Sequence, residues 1–188
     1  IWAKQIGDGL QSSGVSHAVT TDAAGNVYAT GEFTGIRDFD PSPATFTLGA
    51  SSVKVFVLKL DAAGNFVWAN QLDATQGLCI AADAFGNIYS GGVFNVAGDF
   101  DPGAGVAMLT AFGNGDGYIS KLSSAGTYIW AKPLGGSGND GVYSLKADCE
   151  GNVCSAGGFS GSFYADPGST TVTFNTFGQS DIFVSKLA

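Results

Sequence analysis

Asp22-Ala23-Ala24-Gly25-Asn26-Val27-Tyr28-Ala29-Thr30-Gly31-Glu32-Phe33 is the stretch on which the reading of this chain turns. Gly25 and Asn26 tolerate positive φ, and the short side chain of Asp22 can cap the turn they make. Apolar and polar residues alternate on both sides, so His17–Thr21 and Val27–Gly31 are predicted to pair as a β-hairpin. The same turn returns as Asp83-Ala84-Phe85-Gly86-Asn87 and again as Asp148-Cys149-Glu150-Gly151-Asn152, 61 and then 65 residues further on.

Other landmarks advance in step. Trp2, Trp68 and Trp130 recur, as do Asp40-Pro41, Asp101-Pro102 and Asp166-Pro167, and Lys59-Leu60, Lys121-Leu122 and Lys186-Leu187. Chance similarity of a glycine-rich sequence does not move several independent markers together, so the chain is three copies of one repeat, about 1–66, 67–128 and 129–188. Each copy carries a second hairpin, Val55–Leu60 with Phe66–Asn70 and Tyr118–Leu122 with Tyr128–Lys132. A short run such as Thr45-Phe46-Thr47-Leu48 either extends the sheet or crosses its outer edge. No stretch sustains helical periodicity.

Two hairpins make a four-stranded antiparallel unit. Repeated at this period, such a unit is the signature of a β-propeller blade, with solenoids and tandem sandwiches as the other architectures that fit. The expected fold is therefore all-β: a single repeat domain, residues 1–188, of propeller blades. Recurring Trp and Phe positions are expected to pack neighbouring blades, and glycine-rich strands such as the one holding Gly91-Gly92 to suit a crowded axis.

The chain opens on Ile1-Trp2-Ala3-Lys4, the last strand of a unit, and closes on Asp181–Ala188, a third strand. One blade is thus expected to be split, with Ile1 and Trp2 on one side of the join and Phe183 and Val184 on the other. Three blades are fewer than the four to eight of closed propellers. Closure between chains, for instance a six-bladed dimer, a head-to-tail ring or filament, and excision from a longer tandem array are all consistent with the repeat.

Composition narrows the function classes. The formal net charge is −8, from 14 Asp and 2 Glu against 7 Lys and 1 Arg. No basic patch is available to neutralise phosphates, so a nucleic-acid partner is not expected. No apolar run approaches the length of a membrane span. The absence of an initiator Met points to a processed or excised chain, compatible with removal of a signal peptide.

The pattern Asp-x-x-Gly-Asn-x-Tyr-x-x-Gly-x-Phe of residues 22–33, followed by Asp38-Phe39-Asp40-Pro41, Phe56-Val57-Leu58-Lys59-Leu60 and Trp68-Ala69, resembles the SBBP-type β-propeller repeat of bacterial secreted and cell-surface proteins. The resemblance runs over essentially the whole chain. It implies a propeller in a large secreted or surface protein and supplies no catalytic residues. The third copy departs most: Cys154 stands where Tyr28 and Tyr89 do, and Tyr164-Ala165 replaces Asp38-Phe39 and Asp99-Phe100.

Candidate sites are few. Asp38 and Asp40, and likewise Asp99 and Asp101, place two carboxylates two residues apart in a turn. That suits calcium through oxygen ligands, although neither loop completes an EF-hand, and capping of the turns accounts for the same residues. Cys149 and Cys154 bracket a turn and are candidates for a short disulfide. Cys79 reads as a small buried side chain, where the other copies have Ala18 and Ser144. His17, the only histidine, lacks a Gly-x-Ser-x-Gly elbow and so makes no nucleophilic triad. The acids are spread evenly rather than gathered in one cleft, so no enzyme is expected. The function these observations favour is an extracellular or cell-surface scaffold that associates with its own copies or with neighbouring repeats. A carbohydrate-binding propeller, calcium-dependent or binding through exposed aromatics, is the alternative.

Overall fold

The computed structural model describes residues 1–7, 12–165 and 172–188, and every regular element among them is a β-strand. The first unit is a four-stranded sheet in sequence order, β1 (Gly14–Thr21), β2 (Val27–Asp38), β3 (Thr47–Leu60) and β4 (Phe66–Leu72). The second contains β5 (Gln76–Ala82) and β6 (Ile88–Phe94), a ribbon of β7 (Gly98–Asp99) and β8 (Met108–Leu109), then β9 (Asp116–Leu122) and β10 (Tyr128–Gly136). The third contains β11 (Gly141–Ala147) and β12 (Val153–Phe159), a ribbon of β13 (Ser162–Tyr164) and β14 (Thr173–Asn175), and β15 (Asp181–Leu187). Pairing within each unit is antiparallel. The third sheet has the order β11-β12-β15, three strands against the four of the first sheet and the six of the second, which takes in β13 and β14.

The hairpins expected from the sequence form where the alternation placed them. In the first turn one oxygen of Asp22 accepts the backbone N–H of Ala24 and of Asn26, and the other accepts Asn26 Nδ2 and Tyr28 Oη. Asp61, Asp83 and Asp148 hold their turns in the same way. The aspartates are therefore structural: each satisfies donors that the tight turn leaves without a ladder partner.

The extra run between strands takes two forms. In the first unit it lengthens the sheet, with Arg37 and Asp38 paired to Leu48 and Thr47. In the third it leaves its own unit, and β13 pairs with the end of β10 through Gly135–Tyr164 and Gly136–Phe163. The ribbon of one unit thereby clasps the last strand of the unit before it.

Glycine recurs in the second strand for a local reason. The first strand of each unit bulges by one residue, between Ser16 and Ala18, Gly77 and Cys79, and Val142 and Ser144. The bulge thrusts a carbonyl at the facing strand, so a Cβ on Gly31, Gly92 or Gly157 would collide with the carbonyl oxygen of Val15, Gln76 or Gly141. At these glycines the crowding is between two paired strands of one sheet, whereas an added Cβ on Gly91 would meet Val142 and Leu145 of the third unit at 3.0 and 3.1 Å.

The sheets pack face to face, with β5 between β1 and β11. One core lies between the first and second units, where Tyr28, Val55, Val57 and Leu72 meet Ile80, Ile88, Phe94 and Phe100. Another joins Tyr89, Ile119 and Leu134 of the second unit to Val142, Val153, Phe159 and Phe183 of the third. A third cluster, on the outer face of the first unit, gathers Phe33, Phe39, Phe56 and Leu58 and receives Ile6. Each unit carries an aromatic trio: Phe33, Phe39 and Phe56; Phe94, Phe100 and Tyr118; Phe159, Phe163 and Phe183. In the third copy Ala165 occupies the repeat position of Phe39 and Phe100, and Phe163, two residues earlier, fills the plug by stacking on Phe183 at 4.6 Å.

Candidate assembly interface

The tryptophans are joints between units. Trp68, on the fourth strand of the first unit, donates from Nε1 to the carbonyl of Ser124 at 3.2 Å, in the β9–β10 turn of the second unit. Its ring lies against Gly126, whose φ of +81° already favours glycine, and an added Cβ there would sit 3.0 Å from the indole. Asn70 Nδ2 donates to Gly126 O, and Lys59 Nζ donates to Ser124 O while lying 5.1 Å above the Tyr28 ring. Two side chains of β4, with Lys59 of β3, thus grip one turn of the neighbouring unit. A second joint is made by Tyr89, whose hydroxyl lies 2.7 Å from Gly151 O of the third unit and 3.2 Å from Asp83 Oδ2 of its own. Burial, reinforced by the Asp83 carboxylate, holds that phenol well above its ordinary pKa, so it stays a donor.

Residues 1–6 repeat the grip on the first unit. Trp2 Nε1 donates to Ala62 O at 3.1 Å, and Gly64, at φ +82°, faces the Trp2 ring as Gly126 faces that of Trp68. Arg37 of β2 donates from Nη1 to Ile6 O, and near the corresponding place in the second unit the backbone carbonyl of Asp99 accepts the N–H of Asp73, just beyond β4. The opening segment therefore occupies the place that a fourth strand of a preceding unit would take. It forms no strand, and Ile1 and Trp2 do not pair with Phe183 and Val184 in this chain: the sequence-expected split blade is not closed intramolecularly. Trp2 and Ile6 engage the turn and outer face of the first unit, as Trp68 engages the second while still paired in β4.

At the other end β15 is an edge strand. Phe183 is buried beneath Phe163, whereas Ile182 and Val184, on the opposite face of the strand, are 86% and 76% exposed. Trp130 packs against Tyr89 within its own unit, and no turn follows β15 among the described residues for it to donate to.

The remaining sequence candidates resolve individually. Asp38 Oδ1 accepts the N–H of Asp40 and of Phe46, and Asp40 Oδ1 accepts that of Ser42. Asp99 Oδ1 accepts Asp101 and Ala107, and Asp101 Oδ1 accepts Gly103. These amides hold Asp99 below the usual carboxylate range. The four carboxylates thus organise loops that present Phe39 and Phe100 to the core. Among the described residues no group of three or more His, Cys, Asp or Glu converges as a metal site. Asp166 of the third loop lies outside the described residues.

Cys149 and Cys154 are both free thiols. The register pairs Cys154 with Lys146, while Cys149 lies in the turn beyond the ladder, so the two are not cross-strand partners. Cys79 is buried, as expected, and its thiol reaches Val142 O of the third unit; burial pushes it up to about 12. With cysteine at the Tyr28/Tyr89 position, Lys186 turns to Asp148 at 2.8 Å instead of lying over a phenol ring.

No family model matches the chain. A stretch of 104 residues, 52% of the chain, is 35% identical to an uncharacterized WD repeat-containing protein of Acanthamoeba polyphaga mimivirus. The match spans 7% of that protein's length, so the likeness concerns the repeat and not the whole relative. No helix among the described residues is long and apolar enough to cross a membrane.

Proposed function

We propose that this chain is a run of consecutive β-propeller blades that serves as a non-enzymatic, secreted or cell-surface scaffold, and that its end units are completed by further units of the same repeat. These come from a second copy or from neighbouring repeats, building a ring or a filament. The observation that carries the reading is the tryptophan joint: it is made from the first unit to the second, and again by Trp2 onto the first, in a form that any unit of this kind can offer to the next. The likeness to a WD repeat protein supports blades, since WD repeats are four-stranded propeller blades. The uncovered edge of β15 supports completion by a fourth strand, because an exposed edge is a template for pairing.

In that assembly Lys186 of β15 would face Trp2 of the incoming segment, as Lys59 faces Trp68 and Lys121 faces Trp130. Light scattering of the purified chain across concentration tests this. Growth in mass that Trp2→Ala abolishes is the expected result. A monomer at every concentration removes self-association and leaves only completion by neighbouring repeats.

A further inference from the structure

We infer a second, separate function: the cleft where the three units converge binds a neutral carbohydrate of one or two sugar units. The cleft has a volume of about 490 Å³ and draws Glu32 from the first unit, Gln76, Asn95 and Asn114 from the second, and Asn139 and Tyr143 from the third. That volume fits the range of small-molecule sites.

Three features point to a ligand. The first is the breaking of repeat symmetry. Turn aspartates, bulge-facing glycines and plug aromatics keep their type from unit to unit, but the cleft positions do not. The cleft takes Tyr143, the bulged residue of the third unit, where the other units have His17 and Leu78, and it takes Glu32 and Val93, the residues after the bulge-facing glycine in the first and second units, where the third has Gly158. Structure alone needs the bulge and its glycine, not this diversity, and bulges are a device for re-aiming side chains at a site.

The second is the state of Glu32. Its Oε1 is held by His17 Nε2 at 2.9 Å, while Oε2 is buried without a hydrogen-bond partner. A carboxylate oxygen left unsatisfied there is costly, and because the Glu32 side chain is 21% exposed where it lines the cleft, a small turn of the carboxylate brings that oxygen to a ligand hydroxyl. The third is the lining itself. The side-chain amides of Gln76, Asn95, Asn114 and Asn139 offer paired donors and acceptors and bond to no other described residue, and Tyr143 is 59% exposed, presenting a ring face on which the C–H face of a sugar can stack.

Binding rather than hydrolysis follows from Asp140, the second carboxylate of the cleft. Both of its oxygens are engaged, by the N–H of Ser160 and of Gly136, and it is 3% exposed, so it fixes the β10–β11 connection and is not free to exchange protons with a substrate.

The test is saturation-transfer NMR of the full chain against a panel of neutral mono- and disaccharides, with titration of the best binder. The expected result is transfer to at least one sugar with a millimolar dissociation constant, weakened about tenfold or more by Tyr143→Ala and, independently, by Asn95→Ala. Both residues are exposed, so the variants fold, which thermal melting of the same samples verifies. No transfer to any sugar, equal binding by wild type and both variants, or hydrolysis of the disaccharide would overturn the inference. So would a response to calcium or to lysine methyl ester in place of sugar. Light scattering on the same samples reads the assembly separately, so either function can fail without the other.

Discussion

Replacing Gly126 with Ala isolates the joint between units. At φ +81° the added methyl costs about 1–2 kcal/mol through backbone conformation alone. Here it also sits 2.8 Å from Asn70 Nδ2 and 3.0 Å from Trp68 Cδ2, so both side chains must withdraw. Withdrawal forfeits the bonds from Trp68 to Ser124 and from Asn70 to Gly126, at about 1 kcal/mol each. The expected loss is about 3–4 kcal/mol. Gly151 is the internal control: it has φ +85°, but an added Cβ meets nothing closer than Phe85 at 3.6 Å, ordinary contact. Gly151→Ala should cost only the conformational term. Urea denaturation followed by tryptophan fluorescence should separate the two midpoints by about 1 M, taking a slope of about 2 kcal/mol/M. In a Trp68→Ala, Asn70→Ala background the excess at Gly126 should vanish. Equal costs for the two glycine variants in the otherwise unaltered chain would refute the idea that Trp68 and Asn70 lock the second unit.

Three further outcomes follow from the structure. Gly92→Ala drives a methyl into the Gln76 carbonyl across the bulge and should cost at least about 3 kcal/mol by urea denaturation, because backbone rather than a flexible side chain must yield. Stability should peak at about pH 4, on two opposed grounds. Asp148, held low by Lys186 and Asn152, and Asp99, held low by backbone amides, contribute stability that is present above about pH 4 and lost as the pH falls further. Asp140, raised to about 6 by burial, contributes stability that is complete below about pH 4 and lost as the pH rises through 6. Melting temperatures across pH 3–8 check both limbs, and a monotonic profile would contradict one of them. Finally, a maleimide should label Cys149 in the folded chain and leave Cys79 untouched until denaturant is added, read by mass spectrometry of peptides; prompt labelling of Cys79 would contradict the packed interface between the second and third units.

The hairpins were legible because turn and alternation are local properties. Asp22, Gly25 and Asn26 specify a turn whatever surrounds it, and the flanking residues declare the strands. The ribbons were less so: the sequence left Thr45–Leu48 between two roles, and the structure shows that the runs between hairpins extend the sheet in one unit and cross to the previous sheet in another, a choice made by tertiary contact. Of the two glycines singled out, Gly91 faces Val142 and Leu145 of the third unit, whereas the bulge that demands Gly92 could not be foreseen, because a bulge in a neighbouring strand leaves no mark on the strand that accommodates it. The tryptophans are expected from sequence to pack between blades, and Trp68 does join neighbouring units, yet the indole N–H bonds of Trp2 and Trp68 to carbonyls of a facing turn could not be foreseen from a residue type alone. The cleft was missed altogether. Its residues lie far apart in sequence and are singly unremarkable, and the available signal was negative: positions such as 17, 78 and 143 that fail to repeat inside a chain where so much else does.

Because the first and second units each hold both halves of the joint, a Trp on the fourth strand and a glycine turn between the third and fourth, the two are inherited together. Duplication or loss of whole repeats therefore delivers neighbours that already fit, with no surface to be reinvented. The number of units is then free to drift in evolution while the tryptophan seam stays the same, and what distinguishes one array from another is left to positions outside it.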